Sequence, residues 1–370
     1  MNLWAKAREG GFEFLLSALV TVVALFAALL FVLAAGVPLG RGASAFVTGA
    51  FGTRFNFAAT LAAMVPLTLV ALGWIVAFRA GRFHVGFPGQ ILAGAMLVSV
   101  VALKISVPIW LHLPLGLLAG VLGGAAWAGI AAWLWAKRGV NEILSTLLLN
   151  LVALQMLAWW VRGPMNDPSA PLPVTPPFPE SSRWPYLLTG TNLTWDLVLL
   201  GVVVVIAFVL VKTTFGFKVR LVGANPEAAR HSGLSPQGVG TRAIVLSGAL
   251  AGLAGSSLVL ASPSPVMGEN PGAAIGFTGI AVALLARNSP WGVIPAALLF
   301  AALVQGSSQM EATVGVSSAL VDFTQGLMVV LVLGATTLLY FARRHRQPRM
   351  PRSRRRDATA MARDIEVVKP

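Results

Sequence analysis

Four histidines, at positions 84, 112, 231 and 345, are the residues best suited to move protons near neutral pH, and no cysteine accompanies them. No H-E-x-x-H pair sets two histidines one helical turn apart for a metal, and no G-x-S-x-G places a serine on a strand-to-helix elbow. Without cysteine there is no thiolate metal site, no disulfide framework and no thiol nucleophile. None of the six lysines follows a glycine in a G-x-x-x-x-G-K-[ST] pattern, so no Walker-type loop cradles a phosphate. The chain therefore carries no catalytic constellation and no nucleotide site of its own. If ATP drives it, another subunit must hydrolyse that ATP.

One short polar segment is strongly punctuated instead. Asn225 is a good N-cap, Pro226 suits the first helical position, and Glu227 favours the positive end of a helix. Ala228 and Ala229 continue the turn, Arg230 and His231 complement its C-terminal end, and Gly233 supplies a left-handed stop. These signals predict a helix of about two turns over Pro226–Ser232. Such a helix is marginal alone in water, so something should dock on it.

The elements that must position this segment are apolar. Of 370 residues 56% are hydrophobic and only 11% charged, and the mean hydropathy is +0.79. One soluble core cannot absorb that much apolar surface, which excludes a soluble enzyme; the composition equally excludes a disordered or collagenous chain. Stretches of bilayer length recur at Phe14–Ala35, Phe57–Phe78, Ile91–Val107, Leu113–Trp135, Ile143–Val161, Thr194–Val211, Ala243–Ala261 and Leu320–Phe341. The first is read as a span rather than a cleaved signal, because no small-residue cleavage site ends it. Between the last two, Asn288, Ser289, Pro290 and Gly292 interrupt an apolar region into two short pieces, Gly276–Ala286 and Trp291–Gln305. The fold class is thus an all-α polytopic membrane protein of about ten segments, eight full spans plus a short broken pair. Residues 14–341 form the membrane domain, between an N-terminus at 1–13 and a basic tail at 342–370.

The net charge of +14 is distributed unevenly. With the N-terminus inside and ten crossings, Arg41, Arg54, Arg162 and Arg183 fall outside, Lys104 lies near the outer end of a span, and the other 22 of the 27 basic residues fall inside. Both termini are therefore expected in the cytoplasm. Trp110, Trp159, Trp160 and Trp195 then mark the outer interface, and Trp133, Trp135 and Trp291 the inner one, while Trp74 and Trp127 should pack between helices. The external segment 162–193 contains eight prolines and should be extended, ordered only against a partner. The basic tail is expected to lie against anionic lipid, and nucleic acid is not expected as a partner.

Small residues at four-residue spacing, Gly116, Gly120, Gly124 and Ala128, and separately Gly248 and Gly252, permit close helix packing. Asn150, Gln155, Gln305, Asp322 and Gln325 are polar groups within apolar spans, where they should face a cavity or another helix. Asn141 and Glu142 sit at the inner membrane face, where a cytoplasmic interface or a salt bridge is expected.

Val140–Asn150, Lys218–Leu234, Ser247–Gly255 and Gly276–Ala286 together resemble the permease subunits of bacterial ABC importers. The group is that of the branched-chain amino acid and ribose permeases, nearest to the simple-sugar and nucleoside permeases. The resemblance runs along most of Phe57–Tyr340. It implies that Asn225–Gly233, within a cytoplasmic loop at 212–242, is the coupling helix that inserts into an ATPase subunit. It implies a second related permease, more often a different chain than an identical one, and an extracytoplasmic solute-binding protein. It further implies that this chain binds no cofactor and that the partner ATPase uses ATP and magnesium. The implied location is the bacterial inner membrane. The implied substrate is a nucleoside or related compound, with a simple sugar or a branched-chain amino acid as alternatives; Gln90, Asn150, Phe277 and Gln305 are the pathway candidates. The group's usual F-R-A-G-x-F-N-I-G-x-E-G-Q segment reads here Phe78–Gln90 with His84 in place of Asn and Pro88 in place of Glu. An ATP-independent carrier or channel is the rival class. It would need its own coupling-ion site, and Glu311 and Asp322 are among the few acids available.

Overall fold

The computed structural model describes residues 38–269, 271–315 and 326. Phe14–Ala35, Leu320–Phe341, Asp322, Gln325, His345, the N-terminus and the basic tail lie outside the described residues. Helix α1 spans Leu39–Val47 and runs into a π-helical turn, Thr48–Gly52. Next come α2 (Arg54–Arg79), α3 (Phe87–Lys104), α4 (Ile109–Arg138) and α5 (Glu142–Arg162). After an ordered loop come α6 (Asp196–Lys212), α7 (Thr214–Ala224), α8 (Pro226–His231), α9 (Pro236–Leu260), α10 (Ala273–Leu285) and α11 (Val293–Val314). Among the described residues six helices are long and apolar enough to cross a membrane: α2, α3, α4, α5, α9 and α11. A seventh span results if α6 and α7, bent by 66° at Thr213, are counted as one.

Helix α9 is central and packs on α2, α3 and α4. The two glycine stripes read separately in the sequence meet each other. A Cβ on Gly252 would lie 2.0 Å from the carbonyl oxygen of Gly120, and one on Gly124 would lie 2.2 Å from that of Gly248. Only glycine lets these backbones approach so closely. By contrast α5 and α6 expose apolar side chains such as Leu148, Leu151, Val202 and Val205, as faces bathed in lipid or covered by another membrane chain do.

Several expectations need correction. The second piece of the broken pair is not short. Helix α11 runs 22 residues, past Gln305 through Gly306, Ser307 and Ser308, to a left-handed Gly315. The hydroxyls of Ser307 and Ser308 donate to carbonyls one turn back, so the small polar run continues the helix instead of ending it. Gln155 is exposed on α5, not buried. The proline-rich segment finds its partner in its own chain: Thr175 and Met267 exchange hydrogen bonds at 3.0 Å, and Trp184 N–H donates to the Leu260 carbonyl at 2.9 Å. Arg162 pairs with Glu269 across the same junction, which holds the Glu269 carboxyl below its usual range. Trp74 is buried as expected, its indole N–H donating to Asn288 Oδ1 at 3.1 Å.

Candidate functional site

Two regions lie at opposite ends of α9. At its N-terminal end stands the punctuated turn. Asn225 Oδ1 accepts from the N–H groups of Glu227 at 3.0 Å and Ala228 at 3.1 Å, two of the donors a helix start leaves free. Pro226 occupies the first turn, where its missing N–H costs nothing. The helix is Pro226–His231, with Ser232 as its cap and Gly233 at φ +77°. Leu234 N–H closes back onto the Ala229 carbonyl at 3.0 Å, a Schellman-like stop.

This turn is held from beneath by its own chain. Ala229 is fully buried in a cluster with Ala80, Val219, Val222, Val239 and Ala243. Pro226, Glu227, Ala228, Arg230 and Gly233 are exposed. Arg230 pairs with Glu227 at 2.9 Å on the helix surface. The result is a capped, anchored knob whose outward faces are all free among the described residues. It is fastened to the α2 end as well, because Gly223 abuts the Arg79 carbonyl so closely that a Cβ there would lie 2.1 Å from that oxygen.

At the other end of α9 lies a cavity of about 500 Å³. Its polar lining includes Asn192, Asp196, Ser257, Thr278, Gln305 and Glu311, with Phe55 and Leu67 of α2 among its apolar walls. Asp196 begins α6 and is buried. Its Oδ1 accepts from Thr194 Oγ at 2.5 Å and its Oδ2 from Ser257 Oγ at 2.7 Å. Both oxygens keep further lone pairs.

Of the four pathway candidates, only Gln305 lines this cavity. Phe277 is half exposed on α10, beside the cavity-lining Ala274, Ile275 and Thr278. Gln90 and Asn150 are buried elsewhere, between α3, α4 and α5. Asn150 Oδ1 accepts from Gly89 N–H at 2.9 Å and its Nδ2 donates to the Val85 carbonyl at 2.8 Å. That amide clamps the entry to α3 and has little left for a solute. Asn192, Asp196, Ser257 and Thr278 line the cavity without being among the pathway candidates of the sequence. An acid opening an otherwise apolar helix was the one available signal, for Asp196; the others are ordinary residues until the helices meet.

The turn between α2 and α3 is tightly built. His84 is completely buried, and burial lowers its imidazole pKa to about 4. Its Nδ1 accepts from Gly86 N–H at 3.4 Å, so Nε2 carries the proton and donates to Ser247 Oγ at 2.9 Å. Pro88 falls in the first turn of α3, where proline is tolerated, and packs against Gly276 of α10. Glu142 accepts from Phe83 N–H at 2.8 Å and stands 3.8 Å from Arg82, an ion pair, one of the two roles expected for it. Arg82 also lies over the Trp135 ring at 4.2 Å. His112 is a tie between elements, reaching Ser181 Oγ and the Val101 carbonyl. Among the described residues no group of three His, Cys, Asp or Glu side chains is placed to hold a metal.

A polytopic helical chain with a polar cavity at one end and a capped, exposed turn at the other has a layout that suits a transport permease. The family model for the permease component of branched-chain amino acid transport systems matches residues 56–333. The chain belongs to that family. The glucose ABC transporter permease protein TsgB13 of Haloferax volcanii is 38% identical over 293 residues, covering 76% of this chain and 77% of that one. The guanosine ABC transporter permease protein NupP of Bacillus subtilis is 31% identical over 327 residues, 86% of this chain and 92% of that one. The nucleoside ABC transporter permease protein NupB of Lactococcus lactis is 33% identical over 273 residues, 70% and 74% respectively. No solved structure matches the chain. It is thus a permease subunit of an ABC importer, in the sugar and nucleoside group.

Proposed function

We propose that this chain forms one half of the membrane path of an ATP-driven importer and carries a nucleoside inward. The observation that carries the reading is the placement of α9. This one helix of 25 residues, about 37 Å long at the usual rise, starts beside the docking turn and ends in the polar cavity. A push on α8 has a rigid element through which to change the cavity. A nucleoside offers hydroxyls to Asp196, Asn192 and Gln305 and a flat base to the Phe55 side of the cavity. Relatives whose names refer to guanosine and nucleosides support the same choice.

In this reading α8 seats in an ATPase subunit, which binds and hydrolyses ATP with magnesium; this chain binds neither. A second, related permease covers the exposed apolar faces, and an extracytoplasmic solute-binding protein delivers solute over the 162–193 loop. Ten segments cross the inner membrane of a bacterium with both termini in the cytoplasm. Arg79, Arg82, Lys137, Arg138 and Arg220 cluster at the α8 end, whereas Arg54, Arg162 and Arg183 lie at the cavity end, which supports that orientation.

The test is uptake. Cells lacking this gene should lose high-affinity uptake of a labelled nucleoside at low external concentration while glucose uptake persists. A simple sugar is the second reading, favoured by the glucose-named relative. Lost glucose uptake with intact nucleoside uptake would replace the first reading by the second.

A further inference from the structure

A second cavity, of about 170 Å³, opens where α6 breaks into α7, at the α8 end of the molecule. Val203 and Ala207 of α6, Phe215 of α7 and Leu250 of α9 supply apolar walls. Arg79, at the end of α2, and Arg220, on α7, are the only charged residues lining it among the described residues. Arg220 folds back to donate to the Val211 carbonyl, and Arg79 donates to the Asn288 carbonyl at 3.0 Å. Neither guanidinium has a carboxylate within ion-pair distance among the described residues. The imbalance extends further. No Asp or Glu occurs in residues 54–79, 197–226 or 236–260, the stretches that build the groove, whereas Lys212 and Lys218 add two more cations to the elbow.

Two like charges facing one low-dielectric groove repel each other and lack compensation, so the site favours an anion. Its walls favour hydrocarbon attached to that anion. The groove's outer rim includes Ile206, about half exposed, next to the exposed apolar Val205 and Val209, so an acyl chain can enter from the side. Basic pockets between membrane helices near the cytoplasmic surface are where anionic headgroups bind. We propose that this groove is a binding site for an anionic phospholipid of the bilayer, its phosphate held between Arg79 and Arg220 and one acyl chain lying between α2, α6 and α9. Helix α7 runs straight into Asn225 and α8, so the bound lipid braces the elbow that carries the docking turn. Coupling thereby becomes sensitive to the anionic lipid content of the membrane.

Lipid retention tests this independently of any transported solute. The purified full chain, stripped of lipid in detergent, is offered phosphatidylglycerol or phosphatidylcholine, and bound lipid is counted by native mass spectrometry. Phosphatidylglycerol should be retained in preference. Arg220→Gln and Arg79→Gln should each weaken its retention about fivefold, the scale of one basic residue near a membrane surface. Arg138→Gln, which removes a charge beside Trp133 away from the groove, should leave retention unchanged. Ala207→Trp keeps both arginines and fills the groove, so it should also abolish retention even if an arginine variant fails to fold. Equal retention of the two lipids, an Arg138→Gln effect as large as that of Arg220→Gln, or undiminished retention in Ala207→Trp would overturn the proposal.

Discussion

Gly252 of α9 and Gly120 of α4 touch through their backbones: a Cβ on Gly252 would lie 2.0 Å from the Gly120 carbonyl oxygen. No rotamer relieves that contact, because both atoms are fixed to helices. Gly252→Ala must push α4 from α9, and overpacking of this kind costs about 1–3 kcal/mol. Thermal unfolding of the purified protein should shift down accordingly. Gly201→Ala on α6, where a Cβ meets nothing within 4 Å, is the matched control and should not lower stability.

Asn150 clamps the entry to α3. Asn150→Ala strands the Gly89 N–H and the Val85 carbonyl, each costing about 1–3 kcal/mol if it stays buried. Asn150→Asp keeps the acceptor for Gly89 but sets a second acceptor against the Val85 carbonyl. Both variants should lose stability. A direct solute contact would instead show as a raised KM in a fully stable protein.

His84 makes the fold pH-sensitive. Its pKa is about 4 in the fold against an ordinary 6.5, so the unfolded chain binds the proton more readily. Its contribution is full above about 6.5 and is lost as pH falls toward 4. The unfolding midpoint should therefore rise between pH 4 and 6.5. His84→Gln, which cannot titrate, should flatten that rise.

These three sites show what the sequence reveals and what it conceals. Asn225, Pro226 and Gly233 act on neighbours within a few residues, so helix α8 was legible to within one residue. The Gly120 and Gly252 stripes were legible as stripes, but their pairing depends on how two distant helices cross. Asn150 and His84 find partners 61–65 and 163 residues away, beyond any local signal. Asp196 gains its meaning only when Ser257 of α9 arrives beside it. Helix α11 extends beyond Gln305, where the apolar pattern stops, because the hydroxyls of Ser307 and Ser308 bond back into the helix.

The cavity gives a separable prediction. Asp196→Asn keeps the shape but removes the charge that Thr194 and Ser257 address. Nucleoside uptake should show a KM raised about tenfold or more, the loss of one charge-assisted hydrogen bond, with membrane abundance unchanged. An unaltered KM would remove Asp196 from the path.

If α8 transmits the work of an ATPase, Ala229→Pro should uncouple the importer. The Ala229 N–H donates to the Asn225 carbonyl at 3.1 Å, so proline removes that bond and sets its ring against the same oxygen, costing about 3 kcal/mol locally. The substituted residue lies outside the membrane helices, so the variant should reach the membrane in near-normal amount. In vesicles reconstituted with the importer's other subunits, solute uptake should collapse, and the ATPase should either dissociate or hydrolyse ATP without responding to solute. Arg230→Ala keeps the turn and removes only the exposed pair with Glu227, so it should be milder. Wild-type uptake by an Ala229→Pro importer that retains its ATPase would contradict the account.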